Sequence, residues 1–194
     1  MDRSAPAQRP QTTIQWSVTQ PRYTMEDILL DETTRAQLLD VVSYFQNQEL
    51  LFHQWGLAER FSSQSGLAVN LYGPPGTGKT MAAHAITSAL EKQMICVDYA
   101  EIESKYVGET SKNLSRLFQT AKEQDAVIFF DEADALLSKR VTNMTSATDV
   151  SVNQTRSVLL NLLNQYQGVI LFASQLTLVG LDHLLNHITA YGTI

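Results

Sequence analysis

The sequence predicts a parallel α/β sheet of about five strands with helices on both faces. Three observations carry this. Four short apolar runs rich in β-branched or aromatic residues, Leu67–Tyr72, Met94–Tyr99, Ala126–Phe130 and Gly168–Ala173, read as strands buried on both faces. Helical patterns lie between them, and strand–helix alternation builds a parallel sheet. A glycine-rich loop joins the first run to its helix.

In chain order, residues 1–23 are rich in Pro, Gln, Ser and Thr and read as a flexible arm, with one short extended stretch at Ile14–Val18. Residues 24–194 read as one domain, atypical from about residue 176. From Asp31 the apolar residues Leu38, Val41, Val42, Phe45, Leu51 and Phe52 follow helical spacing. The polar stretch Ser62–Gly66 is a turn-prone break before the first strand. Lys79–Leu90 is the next helix, Leu114, Leu117, Phe118 and Ala121 mark another, and Val152, Leu159, Leu162, Leu163 and Tyr166 a third. Thr177–Ile194 reads either as an improvised fifth strand, at Ile188–Ile194, or as a poorly folded end.

Composition narrows the function. A chain of 194 residues, 44% apolar, is long enough for one core. The single cysteine, Cys96, excludes a disulfide framework and a Cys-rich zinc site, and makes a reducing, cytoplasmic setting the default. A net charge of −6 argues against a general nucleic-acid or anionic-membrane surface. No run approaches the roughly 20 apolar residues of a membrane span.

The strongest motif is Gly73-Pro74-Pro75-Gly76-Thr77-Gly78-Lys79-Thr80, which fits G-x-x-x-x-G-K-[ST] at every fixed position, between a strand and a helix. Glycines let backbone N–H groups turn inward around phosphate oxygens, and the helix after Gly78 aims its positive end at the same anion. Lys79 is expected to reach the β- and γ-phosphates and Thr80 to bind Mg²⁺, with Met81 beside them on the nucleotide. ATP and Mg²⁺ are thus the expected ligands.

Val127–Phe130 is an apolar strand followed by two acids, Asp131 and Glu132, 52 positions after Lys79. A buried parallel strand carries such acids to the sheet edge where phosphates bind. Asp131 is then a Mg²⁺ ligand and Glu132 the residue that polarises the attacking water. By themselves the two acids have a second, weaker reading as caps of the next helix. The tetrapeptide Asp131-Glu132-Ala133-Asp134 also spells an RNA-helicase signature, but two RecA-like domains do not fit in this length.

Three ordered segments, GPPGTGKT at 73–80, SKYVGETSKNLSRLF at 104–118 and VIFFDEADALLSKR at 127–140, resemble the AAA+ ATPases, specifically the core AAA clade that includes katanin, FtsH and the sporulation protein SpoVK. The resemblance runs from about residue 24 to 175. It implies a P-loop NTPase fold of AAA+ type. Met25–Leu30 resembles the segment near the adenine in that clade, which assigns Asp27 and Ile28 to nucleotide binding. It implies a homo-oligomer, a hexamer, whose pore loops grip a polypeptide substrate; the matching residues are Lys105, Tyr106, Val107 and Gly108. Taken alone, Tyr106 reads as a residue packed on its own domain.

The pattern breaks near the C-terminus. Where the family usually carries a polar sensor, most often Asn, this chain has Gln175, one methylene longer. Positions expected to hold arginine fingers read Asn186 and His187, and Arg156 is the last Lys or Arg, followed by 38 residues with none. Arg140 and Arg156 are poor substitutes by position. The family's helical lid has no counterpart before Ile194, as in a truncated gene, a frameshifted end or a natural minimal variant. Two functions follow: an ATPase coupling hydrolysis to protein remodelling, or a nucleotide-gated interaction module with little turnover. A DNA-associated AAA+ protein ranks third, for want of a basic patch.

Overall fold

A computed structural model of the protein describes residues 15–49, 66–98, 102, 109–137, 147–175 and 188–193. Helix α1 (Glu32–Glu49) leads into strand β1 (Leu67–Tyr72), α2 (Lys79–Ala89), β2 (Met94–Asp98) and α3 (Glu109–Glu123). Then come β3 (Val127–Asp131), the short α4 (Asp134–Leu137), α5 (Ala147–Gln165), β4 (Val169–Ser174) and β5 (Ile188–Thr193). The order across the sheet is β2-β3-β4-β1-β5, with every neighbouring pair parallel. The four predicted strands appear within a residue of their expected ends, and the fifth pairs with β1.

Burial explains why the apolar runs took these places. No residue of β1, β3 or β4 is exposed, as befits central strands covered on both faces. The edge strand β2 alternates, leaving Cys96 and Asp98 exposed. Alternation along the strands splits the core in two. Ile95, Val97, Ile128, Phe130, Ile170 and Phe172 pack with Leu114, Leu117 and Phe118 of α3 and Leu159 and Leu163 of α5. Phe130 and Phe172 stack there with centroids 5.2 Å apart. On the other face Val69, Leu71, Val127, Phe129 and Leu171 meet Leu38 and Val41 of α1 and the small residues Ala82, Ala83 and Ala85 of α2. Alanines there let α2 lie close to the sheet, which matters because α2 begins at the candidate site.

Helix α1 starts where the sequence predicts. Asp31 caps it, accepting hydrogen bonds from the Thr34 N–H (3.0 Å) and the Thr34 hydroxyl (2.6 Å). These bonds hold the Asp31 carboxyl below the usual carboxylate range.

Residues 15–23, assigned to the arm by sequence, lie against the domain. Trp16 is buried with the α3/α5 core and Val18 packs beside it. Thr19 pairs antiparallel with Met94, its N–H donating to the Met94 carbonyl (2.8 Å) and its carbonyl accepting the Met94 N–H (2.9 Å). The Arg22 N–H donates to Nδ1 of His84 on α2 (3.1 Å), and the Tyr23 ring meets that imidazole edge-on. The segment therefore crosses the β2 edge from one core to the other. Among the described residues no helix is long and apolar enough to cross a membrane.

Candidate functional site

The loop after β1 is fixed by its own backbone. The Gly73 N–H donates to the Ser174 carbonyl (3.2 Å), tying the loop's first residue to the end of β4. The Thr77 hydroxyl donates to the Pro74 carbonyl (2.9 Å). Gly76 and Gly78 have φ of 81° and 94°, in the left-handed region that favours glycine. Among the described residues a Cβ at either would meet nothing within 4 Å, so none of them fills the space there. Gly78 caps α2 without any side-chain hydrogen bond. The first-turn N–H groups of α2 are thus turned outward with the positive end of the helix dipole behind them.

Lys79 folds back over this loop. Its Nζ donates to the carbonyls of Gly73 and Pro74, both at 2.8 Å. The ammonium is held beside the loop before any anion arrives.

The acids come from β3. Asp131 is the last residue of that strand, and its Oδ2 accepts a hydrogen bond from the Thr80 hydroxyl at 3.2 Å. Its Oδ1 accepts the Glu132 N–H at 3.0 Å. That bond supports a left-handed turn at Glu132, whose φ is 50°. The loop is then stitched to β4: the Ala133 N–H donates to the Ala173 carbonyl (2.8 Å), and Asp134 Oδ1 accepts the Gln175 N–H (2.9 Å).

Together these residues line a cleft of about 410 Å³ at the carboxyl ends of the strands, formed by Pro75, Gly76, Gly78, Lys79, Thr80, Met81, Asp131, Glu132, Asp134, Ala173, Ser174 and Gln175. Every residue that the sequence assigns to catalysis or metal binding (Lys79, Thr80, Asp131, Glu132 and Gln175) is on that wall. Gly73, Pro74 and Thr77 are not on the wall but fix the loop through the hydrogen bonds above. Asp27 and Ile28 are not on the wall. The Asp27 carboxylate accepts the N–H (2.7 Å) and hydroxyl (2.9 Å) of Thr24, which hold it below its ordinary range, and Ile28 is buried in the α1/α2 core, against which Met81 also packs. Lys105–Gly108, Arg140, Asn186 and His187 lie outside the described residues. Arg156 is buried on α5, its Nε donating to the Leu136 carbonyl (2.9 Å), which braces α4 against α5 inside the chain.

Sequence reasoning passed over four residues. Asp134 anchors Gln175, and its signal was its place two residues after Glu132. Asn70 and Ser174 form a buried hydrogen-bonded pair beneath the cleft, Ser174 Oγ donating to Asn70 Oδ1 at 3.0 Å. The signal there was a lone amide inside an apolar strand. His84 lies one turn beyond Thr80 on α2, buried; burial first, then the Arg22 guanidinium, lower its pKa, while Asp131 opposes them.

Comparison with known proteins agrees with this geometry. The family described as ATPase family associated with various cellular activities (AAA) matches residues 69–188. The chain belongs to the AAA family. It is 35% identical over 141 residues to the ATPase family gene 2 protein of Schizosaccharomyces pombe, covering 72% of this chain and 17% of that one. Proteasome-activating nucleotidase 1 of Haloferax volcanii is 38% identical over 141 residues, 72% of this chain and 33% of its own length. The 26S proteasome regulatory subunit 6B homolog of Aspergillus niger is 37% identical over 121 residues, 62% and 28% of the two chains. The AAA chain described here therefore spans a third or less of the length of these relatives.

Proposed function

We propose that this AAA domain binds Mg-ATP and hydrolyses it to ADP and phosphate, and that hydrolysis drives the remodelling of a polypeptide. The observation that carries the reading is convergence within one cleft. An ammonium, an uncapped helix N-terminus, a hydroxyl–carboxylate pair and a second carboxylate all line the same wall.

The donor set suits magnesium. Thr80 and Asp131 offer hard oxygen ligands side by side, and among the described residues no group of three or more His, Cys, Asp or Glu forms a dedicated protein cage. Magnesium takes one or two protein oxygens and completes its shell with phosphate and water. Bound there, the ion would neutralise charge on the phosphates. Backbone N–H groups of residues 76–80 would hold the phosphate oxygens, and Lys79 would exchange its carbonyl partners for the β- and γ-phosphates. Glu132 would orient and polarise the attacking water, and Gln175, anchored through its N–H to Asp134, would hold that water or the γ-phosphate oxygen it approaches.

The name of the Haloferax relative, a proteasome-activating nucleotidase, fits a domain that acts on proteins, and a homo-oligomer with a polypeptide threaded past Tyr106 is the arrangement proposed. A second reading, a nucleotide-gated interaction module with little turnover, is favoured by one specific observation. Arg156, the last cationic Lys or Arg of the chain, is buried and engaged, so it cannot serve as a finger for a neighbouring site.

Single-turnover hydrolysis measured across protein concentration, with mass followed in parallel, separates the two. A rate that rises with assembly and vanishes in Glu132→Gln, while ATP binding persists, supports the ATPase. Tight ATP binding with no hydrolysis at any concentration supports the module.

A further inference from the structure

We propose that the Ser174–Asn70 hydrogen bond is a positioning device of the nucleotide site, which sets Gln175 against the phosphate loop. The inference rests on the nucleotide reading above.

Strand β1 reads LAVNLY, and Asn70 is its one polar side chain. It is fully buried, as is Ser174, the last residue of β4. The Ser174 hydroxyl donates to Asn70 Oδ1 at 3.0 Å. The amide Nδ2 has no partner among the described residues. Turning the amide over does not help, since one of its two polar atoms meets Ser174 and the other then stays in an apolar layer. An aliphatic residue at 70 would bury no such orphan, so this pair is a poor choice for stability alone.

What the pair supplies is location. In the ladder Asn70 stands opposite Phe172 and Tyr72 opposite Ser174, so the side-chain bond runs diagonally from within β1 to the last residue of β4. Ser174 is also the junction of the cleft. Its carbonyl accepts the N–H of Gly73, where the phosphate loop begins, over a long 3.2 Å. The residue before it, Ala173, accepts from Ala133 of the acid-bearing loop, and the residue after it is Gln175. Strand ends fray, and the residue just past this end, Gln175, is the one that must meet a γ-phosphate. A diagonal buried bond holds the end of β4 against sliding and twisting along β1. Placement matters here because about 1 Å of error at a reacting group can cost on the order of 100-fold in rate.

The test uses the full chain and the affinity ratio for Mg-ATP over Mg-ADP by calorimetry, since only ATP carries the phosphate that Gln175 faces. The variants are Ser174→Ala, the double Asn70→Leu with Ser174→Ala, and Ser174→Thr, which keeps the hydroxyl. The double variant should bind ADP within about 2-fold of wild type, yet lose roughly 5-fold or more of its ATP preference. Ser174→Thr should keep that preference. Ser174→Ala alone carries the test if the double variant does not fold, with a loss in the same direction. An unchanged ratio, or equal losses for ATP and ADP, overturns the proposal and leaves nucleotide binding standing. A wild-type chain that binds neither nucleotide removes both.

Discussion

The Thr80 hydroxyl and the Asp131 carboxylate meet at 3.2 Å, joining the first turn of α2 to the last residue of β3 across 51 positions of sequence. The elements that place them, α2 and β3, are far apart in sequence and pack together in one core. Thr80 follows a loop held open by Gly76 and Gly78, and Asp131 ends a strand whose preceding residues are all buried. Their meeting makes a two-oxygen corner at the mouth of the cleft. Asp131→Asn keeps a hydrogen-bonding partner for Thr80 but removes the charge. Affinity for ATP in the presence of magnesium should fall by about 10-fold or more, while affinity for nucleotide in EDTA changes little. Calorimetry with and without the ion measures both. Equal losses in the two conditions would show that Asp131 acts on the loop rather than on the ion.

Gly78 separates backbone cost from steric cost. A methyl there touches no atom of the described residues, but φ is 94°. Gly78→Ala should therefore lose about 1–2 kcal/mol of stability from the left-handed backbone alone. It should also weaken ATP binding, because the methyl occupies the open space beside the helix N-terminus. Chemical denaturation gives the first number and calorimetry the second. A variant as stable as wild type would mean the loop relaxes to another conformation.

Much of the fold was readable because its signals are local. Continuous apolar runs mark strands covered on both faces, and the phosphate-loop motif fixes where β1 stops and α2 starts. The cleft followed, since parallel strands deliver Lys79, Asp131 and Gln175 to one edge. What escaped the sequence was held by contacts between distant residues. Residues 15–23 have few aliphatics and look like solvated chain; the pairing of Thr19 with Met94, 75 residues away, the burial of Trp16 and the contacts of Arg22 and Tyr23 with His84 show them to be packed. The assignment of Asp27 and Ile28 to the nucleotide came from resemblance alone; Asp27 sits in a turn with Thr24 and Ile28 in the α1/α2 core.

Trp16 tests whether that N-terminal segment belongs to the domain. The residue is 9% exposed and packs with the α3/α5 core. Trp16→Ala should destabilise the protein by about 3–5 kcal/mol, the usual cost of emptying a buried large aromatic site. A loss under about 0.5 kcal/mol would return residues 15–23 to the status of a solvated arm. Urea unfolding of both proteins decides it.

His84 makes the same segment sensitive to pH. Its Nδ1 accepts the Arg22 N–H at 3.1 Å, which a doubly protonated imidazolium cannot do. Burial and the neighbouring Arg22 guanidinium lower its pKa in the folded state against the pull of Asp131. In the unfolded chain the group titrates near 6.5. Where the folded pKa is the lower one, the unfolded chain binds the extra proton first. Stability is then undiminished above about pH 6.5 and falls as the pH drops from there towards the folded value, below which the loss is complete. His84→Asn removes the titration and leaves an amide oxygen able to accept the Arg22 N–H. Unfolding free energies of the two proteins should differ by a constant amount above about pH 7, and the wild type should lose ground to the variant as the pH is lowered to about 5. Parallel pH profiles would mean that the Arg22 contact opens readily enough for water to reach the ring. In that case the N-terminal segment would not be latched through His84 to the helix that carries Lys79 and Thr80.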